Sequence, residues 1–491
     1  MRDTIRISLM IGAAMFASSA LAASKDSVTV GMTLEPPGLD PTSGAAAAIG
    51  EIVHYNIFEG LTKINEDFSI TPLLADKWSF SPDLKTLTFT LKKGVKFQDG
   101  GDFTAKDVKF SFERYGAKDS TNKEKAFFAS IQDIDASDPG VVVLKFKDPS
   151  FDALFHLGQN TAVIIDEKSA ATEATAPVGT GPYKLTAWNK GSSAKLDAWD
   201  GYRDPSSIAI KHATFRFIAD PAAEVAALLA VDVDAFPRVA APNLDSFKSD
   251  PRFQVLVGGT EGKTILAMNN KQPPLDNLKV RQAIAFAIDR KALIDGAMNG
   301  LGTPIGSHLT PNDPGYVDLT AQYAYNPDKA KALLKEAGVG PINLTLTLPP
   351  PDYARKGGEI IAAELADVGI TAKIENVEWA QWLSNVYKGK TYDLTIISHV
   401  EPLDIGIYAK PGYYFNYDNS DFNAIIARLN TAPDIETYKK ALVDAQHKLA
   451  DDCVNAFLFQ LPNLVITDAK LQGVWKGAPI FANDLGALSW K

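Results

Sequence analysis

Two carboxylates three residues apart, Glu401 and Asp404, stand in the segment His399-Val400-Glu401-Pro402-Leu403-Asp404. Two carboxyls about 5–9 Å apart can hydrolyse a glycoside, one as acid and the other as base or nucleophile. The same pair can hold a cation such as a substrate ammonium. Solvated loop charges are the plain structural alternative, although Pro402 stiffens the backbone between them. His399 reads either as a hydrogen-bonded rim residue or as a ligand contact. Aromatics crowd the neighbourhood: Trp379, Trp382, Tyr387, Tyr392, Tyr408, Tyr413, Tyr414, Phe415 and Tyr417. Phenols on both faces of the run Tyr413-Tyr414-Phe415-Asn416-Tyr417 need polar partners, which a ligand-stacking cleft would supply. Packing within the core is the other reading.

Other chemistries lack support. Gly258-Gly259-Thr260-Glu261-Gly262-Lys263-Thr264 imitates a phosphate loop, but only three residues separate its outer glycines and Thr264 onward reads as strand. Without a following helix N-terminus, the backbone donors do not converge on a phosphate. The six histidines show no helical pairing, and neither HExxH nor GxSxG occurs. The single cysteine, Cys453, cannot form an intrachain disulfide and reads as a small buried side chain.

The elements that must position these residues alternate in period, which indicates mixed α/β structure. Leu87, Phe89 and Leu91 alternate with Thr86, Thr88 and Thr90 as a half-buried strand. Thr104 and Asp107 form a capping-box pattern, and Val108, Phe112 and Tyr115 follow on one helical face. Asn277 caps a helix whose apolar stripe runs Val280, Ala283, Ile284, Ala287 and Ile288, with Arg281 on the other side. From Tyr353 helices and strands alternate, a pattern that builds parallel sheet with covering helices. Ligands of such sheets sit beyond the carboxyl ends of the strands, which directs attention to the loop after Ser398. Borders are expected near 170–182 and near Gly258–Gly262.

The first 22 residues read as a secretory signal peptide: Arg2 and Arg6, an apolar stretch from Ile7 to Phe16, then Ser19-Ala20-Leu21-Ala22. No cysteine follows at once to carry a lipid, so export to a Gram-negative periplasm is expected. The 491-residue chain exceeds the ~250–300 residues at which a single core stops growing, so several domains are expected. With 49 Lys+Arg against 59 Asp+Glu, the net charge is −10. No basic stripe offers a nucleic-acid footprint.

Several long stretches together carry a resemblance. They are Leu74-Ala75-Asp76-Lys77-Trp78, Leu87–Leu91, Gly94-Val95-Lys96-Phe97-Gln98-Asp99-Gly100, Phe103–Val108, Val178-Gly179-Thr180-Gly181-Pro182-Tyr183, Asn277–Ile284 and Tyr325–Ala330. The chain resembles the family-five extracellular solute-binding proteins of ABC importers, the oligopeptide-, dipeptide- and nickel-binding group. That resemblance implies a two-lobed periplasmic-binding-protein fold (type II, cluster C) with an extra subdomain on lobe one and a hinge between the lobes. Lobe one would take 24–60, 177–262 and 463–491, the extra subdomain 61–176, and lobe two 263–462. It further implies a non-enzymatic monomer without a cofactor. This would enclose a peptide or other small molecule and dock on an inner-membrane permease pair with two ATPase subunits. By the family pattern Glu401 or Asp404 would meet a peptide ammonium and Arg355 a carboxylate; the residues themselves add Trp379, Trp382, Tyr413 or Tyr414 as stacking candidates and His399 as a contact. Two departures stand out. Gly101-Asp102 replaces the family's usual threonine and proline, and the HVEPLD loop lacks the usual acidic-aromatic pattern. The altered loop leaves an opine, an oligosaccharide, a metal chelate or haem as alternative cargo.

Overall fold

The computed structural model describes residues 25–44 and 46–491, so the expected signal peptide lies outside the described residues. Eleven strands form one long mixed sheet. Ten of them run in the order Ile370–Asn376, Ile342–Leu348, Leu394–His399, Phe253–Met268, Asn455–Asp468, Ala235–Pro237, Ser27–Met32, His212–Phe217, Ser193–Ala198, Tyr183–Asn189, and the eleventh, Thr303–Pro304, pairs with Asn455–Asp468 off that path. The expected parallel pairing holds where Ile342–Leu348 meets both Ile370–Asn376 and Leu394–His399. It fails at the centre, where Phe253–Met268 runs antiparallel to both its neighbours.

That central pair joins the two lobes. Phe253, Leu464 and Ile466 belong to one core. Leu266, Met268, Ala456 and Leu458 belong to another, and Ile265, Ala267 and Phe457 to a third on the opposite face of the same strands. The segment expected to be a border followed by a short strand is thus one continuous strand of 16 residues. It crosses from lobe to lobe, with a register break between Gly259 and Lys263. Glycine is required at the crossing: a Cβ on Gly258 would lie 2.0 Å from the Lys476 carbonyl oxygen.

A separate four-stranded antiparallel sheet, Ala75–Phe80, Thr86–Leu91, Val141–Phe146 and Ile131–Asp135, carries the helix Ala105–Gly116. The alternation of Leu87, Phe89 and Leu91 buries those three, and Val108, Phe112 and Tyr115 are buried in the same core. Thr104 and Asp107 make the capping box. In the helix Leu278–Ala287, Asn277 caps as expected, but Arg281 is buried rather than solvated. Its guanidinium donates to the carbonyls of Cys453, Leu275 and Asp452, so hydrogen bonding offsets the cost of burial. Cys453 is buried, and burial pushes its thiol up to about 12.

Candidate functional site in the cleft

A cavity of about 880 Å³ opens where the lobes face each other. Its floor is the strand crossing itself, Thr260–Gly262 on one strand and Leu461–Leu464 on the other. The crossing backbone is occupied: Thr260 Oγ1 donates to Leu461 O, Gly262 N donates to Thr260 Oγ1, and Gln460 Nε2 donates to Thr260 O. Lobe one supplies Arg238–Pro242 and Ala478–Phe481, and the smaller sheet's region adds Lys123, Glu124 and His156. The opposite wall brings Tyr353 and Lys356 from the N-terminal two turns of the helix Asp352–Asp367, then Val400, Glu401, Pro402, Asp404 and Lys410.

Beneath the Glu401 loop lies a buried charge cluster. Lys263 is fully buried, its Nζ 3.0 Å from Asp404 Oδ1 and bonded to the Glu401 carbonyl. His308 Nε2 also reaches Asp404 Oδ1 at 3.0 Å, and the Tyr408 hydroxyl holds its Nδ1 at 2.9 Å. Burial alone would raise the Asp404 pKa, but His308 and Lys263 outweigh it and hold the carboxyl well below the usual range. His308, His399 and Asp404 place their ligating atoms within 4.8 Å of one another. The Lys263 ammonium already provides the cation at that carboxylate.

The sequence candidates therefore separate. Glu401 is exposed on the cavity wall. Asp404 reaches the cavity but is committed to Lys263 and His308, so no free Glu401–Asp404 acid–base pair exists. His399 is buried, not at a rim. Its Nε2 meets the Tyr414 hydroxyl at 2.9 Å, and burial, followed by His308, lowers its pKa to about 3. Trp382 and Tyr414 belong to the core, and the polar partners that a ligand was expected to supply are protein groups. Trp382 Nε1 donates to Thr395 Oγ1 at 3.0 Å, and Tyr392 donates to Tyr414 O at 3.1 Å. Tyr413 is half-buried against that core, and Trp379 is 42% exposed outside the cavity lining. Arg355 turns from the cavity to Glu378, 3.2 Å away, while its neighbours Tyr353 and Lys356 face inward.

Sequence reasoning missed Lys123, Arg238, Glu261 and Lys410. Arg238 pairs with Glu51, and Lys356 with Asp352 at 2.9 Å. Glu124 pairs with His156 at 3.0 Å. Among the described residues, Lys123, Lys410, Glu401 and Glu261 line the cavity without an ion-pair partner. The only signal available in sequence was the anomalous Gly258–Gly262 run, in which Gly258 marks a close backbone approach, to the Lys476 carbonyl, and not a phosphate loop.

Residues 69–423 match the family model for bacterial extracellular solute-binding proteins, family 5. The chain belongs to that family. Glutathione-binding protein GsiB of Escherichia coli strain K12 is 30% identical over 391 residues, covering 77% of this chain and 75% of that protein. The binding protein AgaA of A. tumefaciens R10, solved with agropinic acid, is 26% identical with a TM-score of 0.75, covering 95% of this chain and 99% of that one. The unliganded open form of the murein tripeptide binding protein MppA shares 20% identity with a TM-score of 0.83, covering 95% and 98%. Family-5 proteins are the solute-binding components of ABC importers, which hand a ligand to a membrane permease. The family is described as extracellular, and no helix among the described residues is long and apolar enough to cross a membrane.

Proposed function

We propose that this family-5 protein captures a small zwitterionic peptide, or a solute built like one, in the periplasm, and delivers it unchanged to its permease pair. The observation that carries this reading is the cavity's unpaired charge. Lys123 and Lys410 offer two cations and Glu401 an exposed carboxylate, with the buried carboxyl of Glu261 on the floor, around one volume of about 880 Å³. A peptide carries both complementary charges at its ends, whereas a neutral sugar would leave these side chains desolvated and unpaired. The volume lies in the upper part of the range of small-ligand sites, ~300–1,000 Å³. Each charge-assisted bond contributes about 1.5–3 kcal/mol, so two of them with apolar contact reach micromolar affinity, about −8 kcal/mol.

The glutathione-binding relative supports a short peptide, and the agropinic acid complex of AgaA keeps an opine as the second reading. In this reading residues 1–22 serve as a cleaved signal peptide, the protein works as a monomer, and the cycle is closure, docking and release without turnover. The lobes would divide at the boundaries the resemblance gives, and Glu401, not Asp404, would be the wall carboxylate free to meet the ligand. The test has two parts. Ligand carried through purification is released and weighed by mass spectrometry. Calorimetry then follows with glutathione and with di- to pentapeptides. Heat from at least one of these and none from oligosaccharides is the expected result; no heat from any peptide removes the peptide reading.

A further inference from the structure

Glu261 sits at the register break of the crossing strand, on the cavity floor, and is only 5% exposed. Neither of its carboxylate oxygens accepts from a protein donor, and its one polar side-chain neighbour is another carboxyl, Asp313. Lys263, two residues along, does not serve it, because its ammonium is taken by Asp404 and the Glu401 carbonyl. Asp313, itself 6% exposed and accepting from Thr310 N at 2.6 Å, lies beside Glu261 and adds a second negative group. Asn463, on the partner strand opposite Gly258, is 3% exposed and also lines the floor. Its Nδ2 donates to Lys476 O, which orients its unpartnered Oδ1 as an acceptor. Two carboxylate oxygens and an amide oxygen thus lack donors on one floor. An ammonium carries three donors and a positive charge.

We propose that Glu261, backed by Asp313 and flanked by Asn463, is the receptor for a cationic nitrogen of the imported solute, seated on the strand crossing between the lobes. The proposal rests on the cavity being the solute site, but not on the solute being a peptide. It adds a recognised charge at the hinge to the wall carboxylate of Glu401. Burial, followed by Asp313, pushes the Glu261 carboxyl up to about 9, while Lys263 opposes and Asp404 adds to the rise. The empty site therefore holds a proton on the Glu261–Asp313 pair at neutral pH. An arriving ammonium pairs with the carboxylate, and that proton leaves to solvent.

The experiment compares wild type with Glu261→Gln, an isosteric side chain that keeps the neutral form but cannot ionise. Thermal shift is run with glutathione, trialanine, N-acetyl-trialanine, octopine and maltotriose. Each compound that shifts melting is then titrated calorimetrically at pH 7.5 in two buffers of different ionisation enthalpy. Expected results are binding by compounds with a free cationic nitrogen, loss of at least tenfold in affinity in E261Q, and release of about one proton in wild type only. Should E261Q fail to fold, Asp313→Asn carries the comparison, with weaker binding and less proton release expected. Binding of octopine alone, with the same dependence, supports the proposal while removing the peptide reading. Equal binding of trialanine and its N-acetyl form overturns the proposal and leaves the peptide reading standing. E261Q affinity within twofold of wild type also overturns the proposal, and a panel in which no compound with a cationic nitrogen shifts melting overturns it together with the peptide reading.

Discussion

Replacing Lys263 with Met should destabilise the protein far more than an ordinary lysine substitution. The side chain has no solvent exposure, and its Nζ is 3.0 Å from Asp404 Oδ1. At an effective dielectric of about 20, unit charges at that distance attract by about 5.5 kcal/mol, against which the desolvation of both must be set. Removing one partner leaves the carboxylate buried with only the His308 and His399 imidazoles for company, a loss of about 3–5 kcal/mol. At roughly 2–4 °C per kcal/mol for a unit of 150–250 residues, Tm should fall by about 6–20 °C. The double variant Lys263→Met/Asp404→Leu removes both charges and should recover most of that loss. Differential scanning calorimetry of wild type, K263M, D404L and the double variant closes the cycle. A K263M Tm within 2 °C of wild type refutes the reasoning, as does a double variant no more stable than either single one. Since the Lys263 ammonium also fixes the Glu401 carbonyl, K263M should loosen the cavity wall and weaken ligand affinity in parallel.

Three further outcomes follow from the same structure. The pKa of His156 is raised to about 9, because hydrogen bonds to Asp152 and Glu124 overcome the opposing effect of burial. Its stabilisation is complete below the unfolded value of about 6.5 and is lost as pH climbs towards 9, by up to about 1.4 kcal/mol per pH unit. Urea midpoints of wild type and His156→Gln should therefore converge between pH 6.5 and 9; a constant gap across that range argues against the ion pairs. Gly258→Ala drives a Cβ into the backbone at Lys476, so it should cost about 1–3 kcal/mol in urea unfolding; an unchanged midpoint contradicts the close crossing. Trp382→Ala empties a core position and should cost about 3–5 kcal/mol while leaving ligand affinity within twofold; a tenfold affinity loss would return Trp382 to the binding surface.

Local chemistry written in consecutive residues was readable from the chain. Thr104 with Asp107, the alternation of Leu87, Phe89 and Leu91, and the Asn277 cap all depend on neighbours within a few positions. The family stretches were legible for the same reason, since each is a contiguous signature. Arg281 was misplaced because helical periodicity shows which face a residue occupies but not the carbonyls waiting there, and Cys453 lies 172 residues away. His308 and Asp404 meet across 96 residues, so the neutralisation of Asp404 had no sequence trace. Glu261 acquires its isolation from a partner strand some 200 positions on, where Leu461 accepts from Thr260. The aromatic run misled because tyrosine hydroxyls found protein partners, His308, His399 and the Tyr414 carbonyl, in place of a ligand.

The floor of the cavity and the link between the two halves are the same pair of strands. A solute resting there presses on the fulcrum and not on the ends of the jaws. A rotation of a few degrees about Gly259–Lys263 changes little at the point of contact, yet it sweeps the distant tips through a much longer arc. With the solute seated as proposed, contact chemistry and mechanical leverage would be combined in a handful of residues. Substitutions at this fulcrum would alter the swing of the halves and the grip on cargo together.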